Sequence, residues 1–217
     1  MKYGYRKILS LTVLILFFLT RFNSYSQFDF GIKAGLNINK FITNADEFKS
    51  EGTKIGFVGG AFFRFKASAL SIEPQILYSQ KKGDYSYSTL HNSFDSFFKS
   101  ENEYIDVPVL FGVHMGKHIK LHTGPVFSFL IKENFSFQVR DTGINFNISD
   151  NAFKQLNFGW QFGGNIEISK LVIGVVYERS LHGIINNFKI ANSSIVFSPD
   201  LRNDMWQVTI GFKFLDK

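Results

Sequence analysis

The chain has no cysteine. That removes disulfides and thiolate metal sites from consideration. It also has no run of ~18 unbroken apolar residues, so no helical membrane span is written into it. No nucleophile elbow, zinc-binding helix or phosphate-cradling glycine loop occurs in its 217 residues. Asp200 and Asp204, near His182, are too sparse a grouping for a catalytic triad. We therefore expect no enzymatic activity and no cofactor. The formal charge of +6 is also less than it looks, because Lys2, Arg6, Lys7 and Arg21 stand before residue 27 with no acid among them. The remainder holds 20 basic and 18 acidic side chains. A nearly balanced charge argues against a nucleic-acid partner.

The start of the chain has its own grammar. Met1 to Lys7 carries three positive charges, and Ile8 to Leu19 is apolar except for Ser10 and Thr12. Ser24-Tyr25-Ser26 then puts small residues at the −3 and −1 positions. This layout predicts a secretory signal peptide over 1–26, cleaved before Gln27. As a helix, 12 apolar residues would reach only ~18 Å, short of the ~30 Å hydrocarbon core. The domain expected after cleavage is 27–217.

What is abundant is phenylalanine, with 27 copies, set in a period of two. From 157 to 168, Phe158, Trp160, Phe162, Ile166 and Ile168 alternate with Asn157, Gly159, Gln161, Gly163, Asn165 and Glu167. A helix would scatter these types, whereas a strand sorts them onto two faces. Comparable segments lie at 28–40, 54–66, 70–80, 104–115, 118–131 and 204–214. The segment 171–181 is apolar on both faces until Glu178. The connections alternate long and short: 41–53, 67–69, 84–103, 116–117, 132–154, 169–170 and 183–203. That parity fits outer-membrane barrels with long outer loops and short periplasmic turns. The expected fold is all-β: an eight-stranded antiparallel up-and-down transmembrane β-barrel.

Alternation alone leaves the interior face open, and a lipocalin-like soluble barrel would put the apolar face inside. Three features favour the reverse. The polar face is rich in Gly, Asn, Gln and Ser, without the dense Lys and Glu of a water-facing surface. Glycines at 31, 35, 56, 60, 124, 159, 163 and 211 suit a narrow lumen. Trp160, Trp206, Tyr78 and Tyr177 on the apolar face are candidates for interfacial girdles. This places the protein in the bacterial outer membrane, in contact with its lipid.

Several of these segments resemble the PorT-like outer-membrane β-barrel family. The resemblance is carried by Glu73 to Gly83 and by Tyr104-Ile105-Asp106-Val107-Pro108-Val109-Leu110. It continues in Gly124-Pro125-Val126-Phe127, in Phe158 to Ile168 and in Tyr177 to Ile184. It implies fold and compartment. The name-giving member serves type IX protein secretion, so an envelope or secretion-complex partner at the outer loops is a further implication. Pro74 and Pro108 fall inside these blocks, where we expect local bulges or missed ladder bonds.

The lumen face is expected to hold a charge network of Lys33, Arg64, Glu73, Asp106, Lys120, Glu167, Glu178 and Lys213, flanked by Asp29 and Lys66. A proton or ion path and a mutually neutralising plug both fit. Eight strands favour the plug, because such barrels lack an aqueous channel. His114, His118 and His122 stand four apart but flank a tight turn, so polar packing is expected and not a metal site. The outer connections carry Phe94, Phe97, Phe98, Phe135, Phe137, Phe146, Phe153, Phe188 and Phe197. Alternation persists at 135–139 and 144–148, which favours strands running on as paired ribbons over an apolar docking surface. Two function classes follow: a structural or interaction barrel, and a small transport or ligand-binding barrel.

Overall fold

A computed structural model describes residues 27–43, 48–50, 52–89, 92–139, 145–147, 153–183, 188–189, 196–197 and 201–216. The expected signal peptide lies outside them. Eight long strands build the molecule: β1 (Gln27–Thr43), β2 (Lys54–Ala67), β3 (Leu70–Thr89), β4 (Asn92–Met115), β5 (Ile119–Val139), β6 (Leu156–Ile168), β7 (Leu171–Ser180) and β8 (Leu201–Asp216). Each pairs antiparallel with the next, and β8 pairs with β1 through register partners such as Ile32↔Phe212 and Asn37↔Gln207. The sheet is thus closed. Closure satisfies the backbone of every strand without leaving a long edge, which is what a spanning sheet in lipid requires.

Burial decides which face is inside. Ile76, Phe57, Phe162 and Ile210 stand 55–65% exposed, while Arg64, Lys120, Gln161 and Gln207 are at most 1% exposed. In water this would be an inverted protein. In a bilayer the outward apolar band meets lipid and the inward polar groups meet one another. The soluble-barrel alternative is excluded by this pattern.

The short turns at the inner end are cheap to make in chain length but not in conformation. Ser68 and Ser169 adopt φ of 57° and 54° at the first position of two-residue turns. That geometry matches strand twist, although glycine is its usual occupant. Along the ladders, Pro74, Pro108 and Pro125 fall on three neighbouring strands. Pairs are missing beside each of them, between Phe62↔Gln75 and Phe65↔Ile72, between Pro74↔Val109 and Leu77↔Asp106, and between Pro108↔Val126 and Phe111↔Thr123. The register is the same on either side of each gap. The prolines therefore cost ladder bonds, as a residue without N–H must, and make no bulge.

Glycine lets the lumen be this narrow. A Cβ at Gly31 would lie 2.5 Å from the Phe62 ring and 2.4 Å from the Phe212 carbonyl oxygen. The sequence signal for Phe62 was hidden, because it is a large apolar residue that faces inward at 2% exposure.

Among the described residues the strands are uneven in length. β3, β4 and β5 run 20, 24 and 21 residues, against 10 in β7. Most of the expected loop 84–103 is ladder, with Tyr85↔Phe98 and Ser86↔Phe97 in register. Phe48–Ser50 and Asn145–Asn147 add to this raised sheet, pairing with β3 and β5. Phe153 is not displayed but buried, at 1% exposure.

Candidate functional site: the lumen

The inward side chains gather into two ionic clusters. The inner one centres on Arg64. Its Nε donates to Glu73 Oε2 at 2.5 Å, and its Nη1 lies 2.8 Å from Glu167 Oε1 and 3.3 Å from Asp29 Oδ2. Glu73 also accepts from Lys120 Nζ and, at 2.7 Å, from Gln75 Nε2. Lys213 Nζ reaches Glu167 Oε2 at 3.4 Å. Lys33 lies near Glu73, Lys120 and Arg64 but makes no ion pair among the described residues.

The outer cluster centres on Lys81. Its Nζ donates to Glu178 Oε1 at 2.8 Å and to Ser128 Oγ at 3.1 Å, lies 3.2 Å from Asp106 Oδ2, and sits 5.2 Å from the Tyr104 ring centroid. Gln161 Nε2 donates to Glu178 Oε2 at 2.7 Å. Between the two clusters along the strands come inward-facing Leu77, Leu110, Val126 and Val176, at 0–2% exposure. Asn37 bridges β1 to β3 and β8, donating to Ser79 Oγ at 2.9 Å and accepting from Gln207 Nε2 at 3.1 Å.

All eight expected charges therefore face one lumen, but they divide between two compartments. Among the described residues seven of them take ion pairs, and Lys33 does not. Lys81 was missed because the period-two reading of its segment stopped at residue 80. The apolar layer was missed because Leu77, Leu110 and Val126 break alternation on the inward face. The three histidines do not converge. His114 Nε2 is 3.2 Å from Ser71 Oγ, His118 Nδ1 is 2.9 Å from the Glu167 carbonyl oxygen, and neither ring nitrogen of buried His122 has a partner among the described residues. Among the described residues, no group of three His, Asp or Glu is placed to hold a metal ion.

On the lipid side, polar atoms of the girdle are tied down. Trp160 Nε1 donates to Thr123 Oγ1 at 2.7 Å, and Tyr177 OH to Asp204 Oδ2 at 2.6 Å. Tyr177 and Trp206 rings pack 5.1 Å apart.

A closed barrel with an outward apolar face agrees with the comparison to known families. The model described as outer membrane protein beta-barrel domain matches residues 21–186. The chain belongs to that family. This outer-membrane β-barrel protein therefore resides in the bacterial outer membrane. The match stops short of β8, the strand that closes the sheet on β1. Solved barrels similar to it include Neisserial surface protein A, 13% identical over 85% of this chain and 97% of that one, TM-score 0.44. Ail, the attachment invasion locus protein of Yersinia pestis, is 11% identical over 87% and 99%, TM-score 0.46. OprG of Pseudomonas aeruginosa is 9% identical over 88% and 98%, TM-score 0.46. No curated protein sequence matches the chain.

Proposed function

We propose that this barrel is a non-conducting, non-enzymatic structural component of the envelope, whose lumen charges act as a plug and whose raised outer sheet meets other envelope proteins. The observation that carries this reading is occlusion: Arg64 and Lys120 from the inner cluster, and Leu77, Leu110 and Val126 from the layer above it, are at most 1% exposed. A permeating solute would have to displace paired charges and an apolar layer together. Loss of a partner from a buried ion pair costs several kcal/mol, so the closed arrangement is strongly held. Above the apolar band, outward positions on the tall strands turn charged, at Lys82, Lys99, Glu101, Glu103 and Lys132. That is the composition of a wall standing in water.

Within this reading, residues 1–26 are removed on export and 27–217 form the functional domain. The PorT-like blocks at 73–83 and 104–110 support a place in a type IX-like secretion complex. Planar-bilayer recording tests the plug: the purified barrel should give no step currents, and discrete open-channel events would overturn it. Mild detergent extraction tests the partner role. A stoichiometric envelope protein should co-purify with the full chain, and a barrel that runs alone speaks against the role.

A further inference from the structure

On β7 the outward row runs Leu171, Ile173, Val175, Tyr177 and then Arg179. The eight steps from Leu171 to Arg179 make about 26 Å along the strand, or about 20 Å along the normal at a ~40° tilt. Arg179 therefore stands at the outer edge of the apolar band, and it is exposed there. Its guanidinium stays charged at any ordinary pH. An acid lies beside it, because Asp204 on β8 is its register partner. That carboxylate is already engaged: it accepts from Tyr177 OH at 2.6 Å and is 8% exposed. Tyr177 in turn packs on Trp206. On its other side Arg179 is in register with Trp160, whose Nε1 is tied to Thr123. Arg179 itself makes no ion pair among the described residues. Nearby positions add further basic residues: Arg202 holds the next outward position on β8, and Lys40 on β1 is the other register partner of Asp204. The tall strands differ. There Lys82 and Lys99 meet Glu101, Lys132 meets Glu103 and Lys54 meets Asp84, at 2.6–3.9 Å.

We infer that Arg179 holds the phosphate of an outer-leaflet lipid, with Trp160 and Trp206 beside the headgroup and the acyl chains against β7 and β8. Three observations select this occupant. The acid in register with Arg179 is taken by Tyr177, so the cation calls for an anion from outside the chain. A guanidinium fork matches phosphate oxygens in a two-bond geometry, which a neutral headgroup cannot return. Immediately inward of Arg179 lie Ile173, Val175, Val208 and Ile210, 38–61% exposed. An acyl chain joined to the phosphate covers that row, and a soluble anion leaves it bare. The charged belt outside the apolar band thus has two parts: paired charges on β3 to β5, and a cation open to lipid headgroups on β7.

The test reads tryptophan fluorescence, since the chain has two tryptophans and both lie on strands that neighbour Arg179. The purified, folded barrel in detergent micelles is titrated with diphosphoryl lipid A, with the same lipid after dephosphorylation, and with inorganic phosphate. Diphosphoryl lipid A should shift the emission saturably, and the dephosphorylated lipid should need about 10-fold more for the same shift. Arg179→Gln, at an exposed position outside the lumen, should remove that preference and keep heat-modifiable gel migration. Should Arg179→Gln fail to fold, the wild-type comparison of the two lipids still decides. Equal apparent affinity for both lipids would reduce the contact to acyl chains and overturn the phosphate site. So would a folded Arg179→Gln barrel that still prefers the phosphorylated lipid. A saturable shift with inorganic phosphate alone, over the same concentrations, would mark a free-anion site and overturn the lipid as its occupant.

Discussion

Glu73 is the residue whose removal should cost most. It accepts from Arg64 Nε, Lys120 Nζ and Gln75 Nε2 inside a lumen where it is 2% exposed. In Glu73→Ala, Arg64 keeps Asp29 and Glu167. Lys120 keeps no ion pair among the described residues, at 0% exposure. Breaking a buried pair from one side costs about 3–5 kcal/mol, because the remaining charge is left uncompensated. At 2–4 °C per kcal/mol for a domain of this size, the midpoint should fall by roughly 6–20 °C. Urea titration followed by the fluorescence of Trp160 and Trp206 would measure it directly, since Trp206 is 52% exposed on the lipid-facing side and loses that environment on unfolding. Removing the orphan as well, in Glu73→Ala with Lys120→Met, should recover a large part of the loss. Additive single effects would show that the pair is not the coupled unit described here. A Glu73→Ala barrel as stable as wild type, or one that conducts freely, would refute the reasoning.

Three further outcomes follow from the same geometry. Ile76→Lys places a charge on the outward face at a position 55% exposed, and should cost about 2–4 kcal/mol in a bilayer; a neutral effect in lipid vesicles would contradict the orientation. Pro108→Val restores an N–H beside one ladder gap and should stabilise by about 1 kcal/mol, read as a higher urea midpoint, with a lower midpoint counting against it. Trypsin applied to intact cells should spare Lys99 and Lys132, whose backbones are paired in β4 and β5, and rapid cutting there would show that the raised sheet is not ordered.

Period-two alternation carried most of the architecture. It located seven strands cleanly, and loop-length parity supplied the eighth, β7, whose faces are both apolar. The lumen was only half legible. Charged residues at strict inward parity, such as Arg64, Glu73, Lys120 and Glu167, were found because polar residues opposite a lipid-facing row have nowhere else to go. Leu77, Leu110, Val126 and Phe62 were not, because an apolar residue on the polar face looks in sequence like noise. Only the ladder register reveals how they interleave with the charges, with Leu77 opposite Asp106, Leu110 opposite Glu73 and Phe62 opposite Gln75. Lys33 shows the opposite limit: parity puts it on the inward face, but parity says nothing of the neighbouring carboxylates, which pair with Arg64, Lys120 and Lys213. The missing ladder bonds at Pro74 and Pro108 were anticipated one strand at a time, and those at Pro125 were not. Their adjacency on β3, β4 and β5 needed the register.

The same register fixes where lipid must stop. On β3, outward exposure of apolar groups runs from Leu70 to Tyr78. Those eight steps make about 26 Å along the strand, or about 20 Å along the normal at a ~40° tilt, close to the apolar band of small barrels. Immediately beyond come Gln80, whose Nε2 donates to Tyr78 OH at 3.1 Å, then Lys82, 3.9 Å from Glu101, and Asp84, 2.6 Å from Lys54. On β4 the outward row changes at the same level, from Ile105 to Glu103 and Glu101, and β5 answers with Lys132. Three neighbouring strands thus exchange apolar for charged outward residues together, and then continue paired for several more residues. A strand pairing that extends beyond the membrane does not help the barrel span it. It does add a water-facing wall on one side of the mouth. Among the described residues this wall is the most extended outer surface, and the partner reading is tied to β3, β4 and β5 for that reason.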